Sequence, residues 1–324
     1  MLGDATGIGP EVAVKALASG AAGAGSVVIF ADARVMELGM RDAGLKLPVA
    51  VYRSLDEVPP QVGPIPLVDL ANLDPAGLRR GEISAESGHA CAKTLEVMID
   101  LALAGRLGGI CFAPLNKAAL HRGGWDAADE HQMFARLTHH RGFFGEMNVI
   151  PEFATFRVTS HVALREAIDM ITPERIEAAV QLANRTLRAM GHDHPRIGVA
   201  ALNPHCGENG LFGDDEIRII GPAVERVRAA GIDATGPISS DTIFIKAKRG
   251  DFDGVVMMYH DQGQIATKLL GFNKGVTVTA GLKTVFTTPA HGTGFDIVGQ
   301  GKADPGGLEY AIRLATQLAA SRPV

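Results

Sequence analysis

Apolar runs of strand length alternate along this chain with stretches whose apolar positions recur every three or four residues. The runs are "SVVIFAD" at 26–32, "GGICFAPL" at 108–115, "PRIGVAALNP" at 195–204 and "DGVVMMYHD" at 253–261. Between them, "SAESGHACAKTLEVMIDLALAG" and "PERIEAAVQLANRTLRAMG" carry the helical period. The alternation predicts an α/β protein built on a mostly parallel sheet. The stretch "RVTSHVALREA", residues 157–167, predicts a strand running into a helix with His161 at the join. By contrast "GPIPLVDLANLDPAGLRRG" is rich in Pro and Gly and reads as an irregular surface connection. Near the start, "GDATGIGPE" is a glycine-rich turn with Pro10 close to the first position of a helix. Turns of this kind normally follow a strand, yet only Met1 and Leu2 precede it. Either the strand is missing from this start, or the turn is entered from an unusually short extension.

With 324 residues, 46% hydrophobic and 21% charged, the chain is long enough for two domains or one large α/β unit. A formal charge of -5 supplies no basic field for a polyanion, so nucleic acid is not an expected partner. No apolar run reaches the roughly 18 to 20 residues that span a bilayer, and the N-terminus lacks the pattern of a secretory signal. A cytoplasmic protein is expected. Three cysteines without a CxxC suit a reducing compartment. Cys91 and Cys111 read as small core residues, and Cys206, beside His205, as a thiol without an activating base.

The candidate chemistry sits where apolar runs open into loops. His161, His205 and His260 all stand at such ends, which is where open α/β sheets bind ligands. Three imidazoles there make either a first shell for a divalent cation with open positions for substrate, or three unrelated polar loop residues. Their wide spacing does not decide between the two. Asp241 in "SSDTIF" and Asp261 in "YHDQG" lie in similar contexts. Each could act as a base or fix a ligand imidazole, the bland reading being a turn aspartate. In "TPAHGTGFDIVGQGKADP", small residues allow close backbone approach to a ligand, and His291 and Asp296 could contact an adenosine moiety. As a bare pattern this is only a Gly-rich loop before a helix.

Taken together, "GDATGIGPE", "APLNKAAL", "TSHVALREA", "LNPHCGENGLFGDDEI", "GPISSDTIF", "MYHDQG" and "HGTGFDIVGQGKAD", in this order, resemble the 4-hydroxythreonine-4-phosphate dehydrogenase family over almost the whole chain. The resemblance implies the isocitrate and isopropylmalate dehydrogenase architecture: two α/β domains with a cleft between them. It implies a cofactor-binding domain of residues 1–124 and 260–324, and a dimerisation, metal and substrate domain of residues 125–259. It further implies a homodimer with shared active sites, in which His161, His205 and His260 are metal ligands, one of them supplied across the interface. Asp241, Asp261 and Lys268 match positions around the substrate, and His131 one that contacts its phosphate. Gly292 and Thr293 join His291 and Asp296 in the loop that matches the family's cofactor-binding segment. The implied chemistry is NAD-dependent oxidation of a β-hydroxy acid with loss of carbon dioxide, NADP being the other option. Asp261 or Lys117 would lie near the proton path, with Asp241 as a further catalytic candidate. Three imidazoles suit zinc, cobalt and nickel, and substrate oxygens also admit magnesium or manganese.

Several positions depart from the family pattern. Its usual asparagine is Thr277, its usual arginine is Phe286, and Gln132 and Glu130 stand for a threonine and a glycine beside His131. An arginine facing a phosphate makes charge-assisted hydrogen bonds worth about 1.5 to 3 kcal/mol, and phenylalanine makes none. The expectation is therefore an altered substrate, such as a 4-phosphorylated four-carbon sugar acid. The alternative is a carboxylated cyclic cis-dihydrodiol from aromatic degradation, against which Phe286 could pack. A catalytically inactive binding protein on the same fold is the reading of another class, opposed by the three histidines and their acidic neighbours.

Overall fold

The computed structural model describes residues 1–21, 23, 27–60, 63–125, 129–271 and 274–321. They form two compact units, one of Met1–His140 with Leu282–Ala320 and one built on Arg141–Gly281. Chain order in the first unit is α1 (Gly9–Ala18), β1 (Ile29–Ala31), α2 (Ala33–Ala43), β2 (Val49–Tyr52), β3 (Ile65–Asp69), α3 (Ala85–Leu103), β4 (Gly109–Cys111), α4 (Lys117–Arg122) and α5 (Glu130–Leu137). The second unit supplies β5 (Gly145–Val149), β6 (Ala154–Arg157), α6 (Leu164–Met170), α7 (Pro173–Ala189), β7 (Ile197–Ala200), α8 (Gly221–Ala229), β8 (Ala234–Ile238), α9 (Ser240–Lys248), β9 (Gly254–Met257), α10 (His260–Gly271) and β10 (Val276–Ala280). The chain then returns to the first unit for β11 (Val285–Pro289) and α11 (Gly306–Ala320).

In the first unit β1, β3 and β2 form a parallel sheet in that order, and β4 pairs in parallel with β11. Here the reading of residues 63–81 as an irregular connection is corrected. Its "IPLVD" is β3, the central strand, with Leu67 and Val68 buried. Pro and Gly punctuate the stretch densely enough to hide a five-residue strand, and only the apolar triplet betrays it. The division between the units falls later than residues 124/125 and 259/260. Phe134 of α5 packs edge-on to Phe112 and stacks on Phe286 inside the first unit, and β10 pairs with β5 inside the second.

In the second unit the strands lie in the order β10-β5-β6-β9-β7-β8. The β10–β5 and β5–β6 pairs are antiparallel, and the others are parallel. All four residues of β6, β7 and β9 are buried, as the unbroken apolar runs require of central parallel strands.

Helix starts follow side-chain capping: Asp32 accepts from the Arg34 amide at α2, Ser84 from Ser87 at α3, and Thr172 from Arg175 at α7. The Asp32 carboxylate also takes the Leu73 amide and the Arg34 guanidinium. Burial alone would raise its pKa, but these bonds outweigh burial and hold the carboxyl below the usual carboxylate range. Because the folded pKa is depressed, the stabilisation is present above the unfolded value of about 3.9 and is lost as pH falls through the folded one. Asp32→Asn is expected to lower the melting temperature at pH 7 and to flatten its fall between about pH 5 and 2, read by thermal denaturation across that range.

Candidate active site

Strands β6 and β9 run parallel with Arg157 opposite Met257, and their pairing continues past the sheet. The Val158 amide donates to the Met257 carbonyl at 2.8 Å, and the Thr159 amide and hydroxyl both donate to the Met258 carbonyl. Two loops thus leave the sheet side by side, carrying His161 and His260 with ring centroids 5.5 Å apart. A cavity of about 260 Å³ opens beside them, lined by Ser160, His161, Val162, Tyr259, His260 and Asp261. The His260 Nδ1 lies 2.6 Å from the Asp261 carboxylate, an arrangement that fixes the ring and leaves Nε2 available. Burial lowers the His260 pKa first of all, with Asp261 pulling the other way. The ring is held toward its neutral form, the one with a lone pair to give.

A buried ionic network lies behind His161. Arg157 donates in bidentate fashion to Glu146 of the adjacent strand at 2.8 and 3.1 Å, and also to Asn148 and the Ser160 hydroxyl. Asn148 donates to the Thr277 hydroxyl at 3.0 Å, and the His161 Nε2 is 3.6 Å from Glu146. Neither Glu146 nor Arg157 is singled out by sequence reasoning. The signal is faint but present: a lone arginine in the apolar run "FATFRV", whose partner strand carries a lone acid. Gln262 is equally unforeseen. Its side chain bonds the Met258 amide, the Ala201 carbonyl and the Ser240 hydroxyl, locking the ends of β9 and β7 to the start of α9.

His205 stands apart from this pair. It lies in a turn where His205, Cys206, Gly207, Glu208 and Asn209 all have positive φ, a left-handed stretch costing roughly 1–2 kcal/mol for each residue with a side chain. Buried Glu216 holds the turn, its carboxylate accepting from the Leu202 and Asn203 amides at 2.8 and 2.7 Å. His205 itself is exposed, flanked by the exposed Leu211 and Phe212. Among the described residues no group of three or more His, Cys, Asp and Glu is arranged to hold a metal ion within one chain. Cys206 is not an activated nucleophile, since burial and then the charges of Glu216 and Asp241 push its thiol up. Asp241 is exposed in the first turn of α9, and Lys268 is exposed on α10.

In the first unit, Asp129 caps α5 through the Gln132 amide, leaving His131 buried and Gln132 exposed. Lys117 is 3.3 Å from Glu130, so the acid that replaces a glycine partly neutralises the nearby ammonium. The expected substrate contact of Phe286 is corrected: only 1% exposed, its ring stacks on Phe134 with centroids 4.0 Å apart and planes within 6°. Its hydrophobicity is spent on the core. In the loop before α11, the Thr293 carbonyl accepts from the Ile8 amide, and Gly292 has open space where a side chain would stand. Asp296 is exposed, and its backbone carbonyl accepts from Gln300. The buried His291 Nε2 has no hydrogen-bond partner among the described residues.

The family model described as pyridoxal phosphate biosynthetic protein PdxA matches residues 24–315. This chain belongs to the PdxA family. Similar to it is D-threonate 4-phosphate dehydrogenase of Cupriavidus necator, 43% identical over 99% of this chain and 96% of the relative. Among solved structures, 4-hydroxythreonine-4-phosphate dehydrogenase of Klebsiella pneumoniae is 39% identical with a TM-score of 0.84, covering 98% of this chain and 96% of that one. A terephthalate 1,2-cis-dihydrodiol dehydrogenase of Burkholderia xenovorans LB400 is 30% identical with a TM-score of 0.68, covering 98% and 96%. This PdxA-family chain is an oxidoreductase that acts on a CH–OH group. No described helix is long and apolar enough to cross a membrane.

Two expected outcomes follow from the packing of this PdxA-family member. Restoring the family arginine by Phe286→Arg places an unpaired guanidinium against Phe134 and is expected to cost about 3–5 kcal/mol in urea denaturation, without improving turnover. Glu146→Gln, which strands the Arg157 charge, is expected to cost about 3–5 kcal/mol, whereas the double change to Glu146→Met with Arg157→Met costs far less.

Proposed function

We propose that this chain oxidises a 4-phosphorylated four-carbon hydroxy acid of the threonate or erythronate type, using a nicotinamide cofactor and one divalent metal, with decarboxylation of the β-keto acid. The observation that carries the reading is the His161–His260 pair at adjoining strand ends beside a small cavity, in a chain 43% identical to a D-threonate 4-phosphate dehydrogenase. Two imidazoles leave a cation one short of the three protein ligands usual for an open catalytic site. The exposed His205, on its strained arm, would supply the third to the site of a second copy. Backbone strain of this kind clusters at functional sites. The exposed Leu211, Phe212 and Ile217 around that arm supply apolar surface for the homodimer this requires.

The donor set fits the metal: a His260 whose charged form burial disfavours, its Nδ1 engaged by Asp261, and a His161 backed by Glu146. A divalent cation held there by His161 and His260 would supply Lewis-acid activation of the substrate hydroxyl. Asp261 acts by orienting His260, which leaves Asp241 of the same unit to take the hydroxyl proton. The loop around His291, Gly292, Thr293 and Asp296 fits the adenosine end of NAD or NADP, through the unpartnered His291 Nε2 and the open face of Gly292. The exposed Lys268 would meet the substrate phosphate. Phe286 is in the core, stacked on Phe134 and out of reach of a substrate ring, so the dihydrodiol substrate is the weaker reading.

The test is NAD reduction with 4-phospho-D-threonate, 4-phospho-D-erythronate, 4-phosphohydroxythreonine and a carboxylated cis-dihydrodiol, each with zinc, cobalt, magnesium or manganese. Turnover of a phosphorylated sugar acid is expected, abolished by chelation and lowered at least roughly a thousandfold by His161→Ala or His260→Ala. Preferential turnover of 4-phosphohydroxythreonine would sink the altered substrate, and of the dihydrodiol the phosphorylated one.

A further inference from the structure

The polar groups that line the cavity beside His161 and His260 differ in what they have left to give. The Thr159 hydroxyl donates to the Met258 carbonyl at 2.8 Å, so its proton is spent on the backbone. The Asp261 carboxylate is engaged with the His260 Nδ1. Ser160 is unlike both. Its Oγ accepts from the Arg157 guanidinium at 3.2 Å and donates to no group among the described residues.

A hydroxyl carries one proton and two lone pairs. With a lone pair of Ser160 held by a cation, its proton turns away from the guanidinium, and the side left open is the cavity. Arg157 cannot swing aside to release that bond. Its side chain is only 1% exposed, and its terminal nitrogens are also held by Glu146 at 2.8 and 3.1 Å and by Asn148. Ser160 is therefore a donor of fixed direction, polarised by the charge behind it. The next residue, His161, has φ of 47°, so the bond to Arg157 clamps the chain immediately before a left-handed residue.

We propose, resting on the reading of His161 and His260 as cation ligands, that the Ser160 hydroxyl binds the carboxylate of the substrate and so selects a hydroxy acid over a simple alcohol. The carboxyl carbon of a β-hydroxy acid lies two bonds from the carbon that is oxidised. Ser160 adjoins His161, so hydroxyl and carboxylate each find a partner in one loop. Charge favours the carboxylate over the phosphate. Glu146 grips Arg157 through both oxygens, which leaves the ion pair behind Ser160 neutral. A neutral pair presents a dipole, which suits a monoanion, whereas the full positive charge that a phosphate dianion calls for stands on Lys268 of α10.

The test uses the full chain loaded with divalent cobalt, with oxalate and inorganic phosphate as separate probes in titration calorimetry. Ser160→Ala is expected to bind oxalate roughly tenfold or more weakly than the unaltered chain, the loss expected of a hydrogen bond to a charged group. Affinities for cobalt and for inorganic phosphate are expected to stay within about twofold, and Ser160→Thr, which keeps the hydroxyl, to recover oxalate binding. In turnover, Ser160→Ala is expected to raise KM for 4-phospho-D-threonate roughly tenfold while kcat changes less than about threefold. Equal oxalate affinity in Ser160→Ala and the unaltered chain would overturn the proposal, as would a loss confined to phosphate. Weaker cobalt binding by Ser160→Ala would mark a residue that only braces His161, and would overturn it too. An unaltered chain that takes up no cobalt would instead sink the reading of the histidine pair, and the proposal with it.

Discussion

A single buried ion pair disciplines the second unit. Arg157 and Glu146 face each other across the antiparallel β5–β6 pair with almost no exposure, and the low dielectric makes any other register costly. Slipping β6 by one residue would turn Arg157 to the opposite face of the sheet and leave both charges without partners. Everything downstream inherits that register. Arg157 fixes Ser160, Asn148 carries the network to Thr277 on β10, and His161 follows within four residues.

The histidine pair shows a division of labour between sheet and loop. Parallel pairing of β6 with β9 brings the rings to the same height, but side-chain bonds decide how they present their nitrogens. Asp261 holds one face of His260, and Gln262 ties the peptide beneath it to two further elements. His205 depends on a different device, a left-handed turn that would unwind without the carboxylate of Glu216 gripping the amides ahead of it.

Much of this was legible in the residues. Unbroken apolar runs located β4, β7 and β9 to within a few residues, because strands buried on both faces cannot alternate. The positions of His161 and His260 at strand ends were equally plain. Their approach was not, since it depends on which strands become neighbours, and spacing carries no trace of that. β3 was hidden by its prolines. The direction of Phe286 is not legible in the sequence, because its ring turns to the core only where the fold brings Phe134 against it. Glu146, Arg157 and Gln262 act through partners distant in sequence, and a charged residue within a strand gives no sign of whether it is paired.

The neighbouring course of β6 and β9 has a consequence for how such a protein can vary. Almost a hundred residues separate His161 from His260, and they include the four helices α6 to α9, the three strands β7 to β9 and the long left-handed turn. None of that chain length sets the distance between the two rings, which is dictated by hydrogen bonds a few residues upstream of each. Insertions and deletions in the surface connections can therefore accumulate without disturbing the pair. A single bulge in either strand, however small, would separate the rings.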